Sequence, residues 1–153
     1  SDAVDEATAR AWLARVGFPA DCDLRSKHLI TIGKHRKHDM NPMERACQLG
    51  ELGVCKWLHD HGGAAPDITR LSGRADTPMF WSASWGHLPV CQWLFEVGAS
   101  ADISTVDRAG CTPLHMAAGL GHLSLCQWLF EAGATADISR TDFGGCTPML
   151  RAR

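Results

Sequence analysis

No stretch of this 153-residue sequence approaches the roughly 18 consecutive apolar residues that a membrane-spanning helix needs, which excludes a transmembrane segment. The start, SDAVDEATAR, also lacks the basic-then-apolar order of a secretory signal. No CxxC pair occurs and the seven cysteines are an odd number. Most of them fall at matching places along the chain, which argues against a disulfide framework and for a reducing, intracellular compartment. Cytoplasm or nucleus is expected, or an organelle after removal of a targeting segment. Missing as well are a P-loop, a dinucleotide-binding glycine fingerprint, HExxH and a GxSxG elbow, so the expectation is no enzyme, no cofactor and no small-molecule substrate. Neither His35, His38 and Cys22 nor His59 and His61 have the paired spacing of a structural zinc site, and no metal is expected.

Net charge is also small, with 15 basic against 17 acidic side chains. The balance hides one polarised stretch. Leu24 to His38 carries Arg25, Lys27, Lys34, Arg36 and Lys37 with no acidic residue, and adds His28, His35 and His38. Such a segment is a solvated loop, a contact for an acidic protein face, or a contact for nucleic-acid or lipid phosphate. Its lack of aromatics disfavours reading of single-stranded nucleic acid, which pairs positive charge with stacking platforms.

What the sequence does have is repetition. GHLPVCQWLFEVGASADI at Gly86 to Ile103 returns as GHLSLCQWLFEAGATADI at Gly121 to Ile138, 14 of 18 residues identical and 35 residues on. A unit that short cannot enclose a core, so copies must stack their apolar faces into one elongated body. Each unit opens with a cap followed by a first-turn proline: Thr77-Pro78, Thr112-Pro113, Thr147-Pro148, and Asn41-Pro42 in the first unit. The first helix meets glycine at Gly50, Gly86 or Gly121, and a second, amphipathic helix runs to Gly62, Gly98 or Gly133. An extended connection through Asp102-Ile103 or Asp137-Ile138 is predicted next. The first unit is one residue longer, and the surplus falls in the turn from Gly62 to Pro66. Trp12-Leu13 aligns with Trp93-Leu94, which predicts an N-terminal capping helix.

Trp12, Trp57, Trp93 and Trp128 hold one equivalent position and are predicted to form a packing ladder. Each rung contributes a gross ~4–6 kcal/mol of apolar burial, an upper bound. Cys55, Cys91 and Cys126 share a core-facing position as small apolar fillers. Cys111 and Cys146 sit on adjacent turns, farther apart than a disulfide spans. His87 and His122 start the second helices, in a local hydrogen-bonding role.

Helix pairs with this turn and with TPLHMAAGLGH at Thr112 to His122 resemble the ankyrin repeat, whose signature contains a TPLHxA core. Phe80 and Glu44 depart from it where His115 keeps the motif histidine. Ala75 replaces the turn glycine of Gly110 and Gly145, which predicts an irregular turn in the second unit. The fold expected is all-α, an ankyrin-type helical repeat solenoid of three repeats plus partial terminal units. Its parts form one domain: capping helix 1–21, basic insertion or loop 22–40, repeats 41–70, 71–105 and 106–140, and a partial unit 141–153, either a natural half-cap or a trimmed end.

The resemblance further implies a concave groove holding Leu49, Trp85 and Leu120, one per unit, beside Ser84, with Arg74, Arg108 and Phe143 reaching in from the turns. That row is a partner-binding ridge or is covered by a neighbouring turn or the insertion. The turn residues differ between copies, as a surface fitted to an irregular partner would, and as unconstrained solvent positions would. The function expected is a non-catalytic adaptor that binds a partner protein through this groove. The alternative is a fixed scaffold subunit of a large assembly, an organellar ribosome or a membrane complex, anchored by residues 25–38.

Overall fold

The computed structural model describes residues 3–32, 34, 36–69 and 76–152. Its elements are α1 (Glu6–Arg15), β1 (His28–Ile32), β2 (Arg36–Met40), α2 (Pro42–Leu49), α3 (Leu52–Asp60), α4 (Pro78–Ser84), α5 (Leu88–Leu94), α6 (Pro113–Gly119), α7 (Leu123–Ala132) and α8 (Pro148–Arg151). The first helices of successive units start where the capping chemistry puts them. Thr77 Oγ1 accepts from the Phe80 N–H at 3.1 Å, and Asn41 Oδ1 accepts from that of Glu44 at 2.8 Å. Glu44 returns the bond, its Oε2 accepting from the Asn41 N–H at 3.0 Å. His115 does the same for Thr112 through Nδ1 at 3.2 Å. Glutamate therefore replaces the motif histidine in kind, whereas Phe80 has no group to close the box.

The first helices α2, α4, α6 and α8 stack side by side, and α3, α5 and α7 form a second layer behind them. Between the layers lies one core that includes Met43, Met79, Leu114, Leu58, Leu94 and Leu129. Trp12, Trp57 and Trp93 are buried and Trp128 is half-buried. The described ring contacts do not join one indole to the next. Trp93 instead meets His59 edge-on at 5.5 Å between ring centres, and Trp128 meets Phe95 at 5.7 Å, so these two rungs rest on the ring two positions past the preceding tryptophan.

Units are also tied by histidine. His87 and His122 donate Nε2–H to the carbonyls of Gln48 and Ser84 one unit back, at 2.9 and 3.1 Å. The proton belongs on Nε2 because a carbonyl only accepts. The role is thus between units rather than local. Gly50 and Gly86 end the preceding first helices at φ 73° and 77°. A Cβ on Gly86 would stand 2.6 Å from His122 Nδ1, so backbone and neighbour both demand glycine there.

Three features differ from the sequence expectation. The connections through Asp102 and Asp137 are 3-10 turns, Ser100–Ser104 and Ala134–Ser139, and extended backbone begins only at Thr105 and Arg140. The turns draw those carboxylates inward, where Ser104 Oγ donates to Asp137 Oδ2 at 2.6 Å. In the longer first unit the left-handed glycine is Gly63 rather than Gly62. The basic insertion, expected as a loop, carries β1 and β2 as an antiparallel hairpin, with Ile30 opposite His38 and Ile32 opposite Arg36. Buried Ile30 and Met40 pin it to the core. The turn around Ala75 lies outside the described residues.

All seven cysteines are free thiols. Burial pushes the Cys55 and Cys91 thiols well up, and the Cys47 and Cys55 sulfurs touch at 3.8 Å inside the core. Since the thiolate is the nucleophile, alkylation of the native chain at neutral pH should modify the half-exposed Cys22, Cys126 and Cys146 and spare Cys47, Cys55 and Cys91 until denaturant is added. Mass spectrometry of the labelled peptides reads this directly, and early labelling of Cys91 would contradict the stack.

The last unit is held by Asp142. Its carboxylate accepts from the Cys146 and Gly144 N–H groups at 3.0 and 2.8 Å and from Arg151 Nε at 2.7 Å. The Cys146 N–H first and then Arg151 hold its pKa below the ordinary 3.8. A depressed carboxylate contributes stability above its unfolded pKa and loses it as pH falls through the folded one. Acid below about pH 4 should therefore loosen α8 before α2 to α6, seen as early loss of amide protection at residues 144–151. Asp142→Asn should show that loosening already at pH 7.

Candidate functional site

Every fourth residue of a first helix returns to the same side. On α4 that places Trp81 beneath Trp85, and on α6 Met116 beneath Leu120. The two sides face each other across a cleft of about 860 Å³, with Phe80 and Ser84 in its wall and Asp76, Asp107 and Arg108 around its lip. Trp85 and Leu120 are each 57 % exposed, the kind of apolar surface that a soluble monomer seldom leaves uncovered without use.

The walls are fixed from behind. Ser84 Oγ donates to the Phe80 carbonyl at 2.8 Å, and the Ser84 carbonyl receives His122 Nε2. At the lip, Asp107 Oδ1 accepts from the Ala109 and Cys111 N–H groups, both at 2.9 Å, which sets the turn. Trp81 Nε1 is buried with no hydrogen-bond partner among the described residues. Apart from that indole nitrogen, the Ser84 and Asp107 groups are engaged internally, and the cleft presents mainly aromatic, Met and Leu surface.

Of the groove residues expected from the sequence, the structure brings Ser84, Trp85, Arg108 and Leu120 to this one cleft. Leu49 ends α2 in the equivalent position of the first unit, exposed but outside the cleft. Phe143 also stands apart. Its N–H donates to the Ala109 carbonyl at 2.9 Å and its ring lies against Gly110, so it clasps the two adjacent turns. Arg74 lies outside the described residues. Trp81 and Met116 were not among the expected residues, although their four-residue spacing from Trp85 and Leu120 was a usable signal.

The basic segment is partly satisfied within the chain. Arg25 Nη2 reaches the buried Asp67 at 3.3 Å, and Lys27 Nζ lies 3.8 Å from the buried Glu44. Lys34 and Lys37 are exposed on the hairpin, and Arg36 lies on β2. Two of the five cations expected to meet an anionic partner thus face internal carboxylates.

Among the described residues no helix is long and apolar enough to cross a membrane. A family model described as ankyrin repeats matches residues 43–142 in three copies. No curated protein matches the chain.

Proposed function

From the premise that this chain belongs to the ankyrin repeat family, a protein-interaction module, we propose that it is a non-catalytic adaptor whose partner protein docks in the cleft between α4 and α6. The observation that carries the reading is the pairing of Trp85 and Leu120, both more than half exposed, across a gap large enough for bulky side chains. Tryptophan in such a pocket is the side chain most enriched among binding hot spots. Arg108 and Asp107 at the lip supply charge around an apolar centre, the usual anatomy of an interface.

Leu120→Asp tests the proposal, since it places an unpaired charge in the cleft without entering the core. Partner capture should fall at least tenfold with helicity unchanged. Capture equal to that of the parent chain would move the interface elsewhere.

The rival, a fixed subunit anchored by residues 25–38, is favoured by the exposure of Lys34 and Lys37 and weakened by the internal pairing of Arg25 and Lys27. It gives the opposite result. Capture would survive Leu120→Asp and fail in a double Lys34→Glu, Lys37→Glu variant, and if the anchor is nucleic acid its log affinity would fall linearly with log salt, with a slope of about 0.7–0.9 per phosphate neutralised.

A further inference from the structure

Four positions past each helix cap the first helices carry Arg45, Trp81, Met116 and Arg151. Two of these are arginines, and the chain treats them differently. Arg151 gives Nε and Nη2 to Asp142 Oδ2 at 2.7 and 2.6 Å, and the hydrogen bond to that carboxylate raises its pKa. Half-buried Arg45 has only Gln48, one turn on, whose Oε1 accepts from Nη1. Its Nε is buried with no hydrogen-bond partner among the described residues, and burial, with no carboxylate to offset it, pushes its pKa down.

The difference begins in the sequence. Asp142 stands five residues before the Thr147 cap, and Asp107 holds the same place before Thr112. Before Asn41 that place is Arg36, so the first unit brings no carboxylate from there to its arginine. A charge drawn partly out of water and left unmatched is unfavourable in the free chain, and a carboxylate that arrives later meets a cation whose desolvation is already part of the fold.

The surroundings of Arg45 narrow the choice of anion. Exposed Leu49 ends the same helix, and on the far side of α4 lies the cleft with Trp85. Nucleic acid presents phosphates in series and is held by several cations, whereas the next two residues of this row are Trp81 and Met116. A single carboxylate carried among apolar side chains matches that pattern, and a guanidinium binds carboxylates with directed, charge-assisted hydrogen bonds.

Given a partner docked in the cleft, on which this inference rests, we propose that Arg45 is a second anchor for the same partner segment and takes an aspartate or glutamate side chain. Packed helices lie about 8–10 Å apart, which puts the middle of the cleft, beyond α4, about 12–15 Å from α2. An extended chain rises about 3.3 Å per residue, so the acidic residue stands roughly four positions from the bulky apolar residue that fills the cleft.

A library of random dodecapeptides displayed on phage, selected on the whole chain and counter-selected on the Leu120→Asp variant, supplies the probe. Its strongest member should carry an acidic residue about four positions from a Trp, Phe, Met or Leu. Arg45→Gln should weaken that peptide at least fivefold. Replacing the peptide's acidic residue by its amide should weaken it equally, and the two changes together should cost no more than either alone. Melting separates this contact from a structural role: Arg45→Gln should melt within about 1 °C of the parent, whereas Arg151→Gln, which strands Asp142, should melt at least about 3 °C lower. Peptides that need Leu120 but bind the parent and Arg45→Gln alike would overturn the proposal and leave the cleft standing. An Arg45→Gln variant that melts as low as Arg151→Gln would overturn it as well, because Arg45 would then be holding the fold. A library with no member sensitive to Leu120→Asp would remove the cleft and this contact together.

Discussion

Trp93→Ala is expected to lower the free energy of unfolding by about 3–5 kcal/mol, a large part of the 5–15 kcal/mol that holds a typical domain folded. The indole is buried edge-on to His59 of α3, where it joins the first unit to the second. Its removal leaves a cavity bounded by helices that their caps and histidine ties hold in place, so little collapse can refill it. Trp128 meets Phe95 and packs against the edge of the core but stays half-exposed, and Trp128→Ala should cost less than half as much. Urea unfolding of the two variants gives the comparison. Equal costs would mean that the tryptophans are not graded rungs of one stack.

Trp85→Ala is expected to behave in the reverse way. The side chain ends α4 at 57 % exposure and contributes little to the core, so unfolding should shift by under 1 kcal/mol, as for a surface position. Affinity for a partner in the cleft should fall by about 2 kcal/mol or more, roughly thirtyfold, because a large rigid surface at the centre of the contact is lost. Isothermal titration with the captured partner reads the affinity, and circular dichroism confirms the fold. Unchanged affinity would remove Trp85 from the interface even if Leu120→Asp abolished capture, since a new charge can act beyond its own contact.

The contrast between these tryptophans shows how far the sequence could be read. Caps, repeat length and the Trp93 position recur in each unit, and local chemistry sets them, so aligning the chain with itself exposes them. The cleft was only half legible. Trp81 and Met116 share a position with Arg45 and Arg151, and no repeat pattern marks a residue that changes in every copy. The hairpin was obscured by its charge, although Ile30, Thr31 and Ile32 are β-branched neighbours suited to a strand. Nothing in the linear order tells that Arg25 would meet Asp67, 42 residues away.

The imidazole ties described above also govern how the body yields to force. His87 and His122 each bridge one helix start to the end of the previous first helix, and His115 reaches forward to the Cys146 carbonyl at 2.9 Å. A hydrogen bond fails within about half an ångström of stretch, so each seam tolerates a slight hinge and then lets go abruptly. Bending the protein should open one seam completely while its neighbours stay shut, and the molecule flexes in steps, as a hinged rule does, instead of curving smoothly.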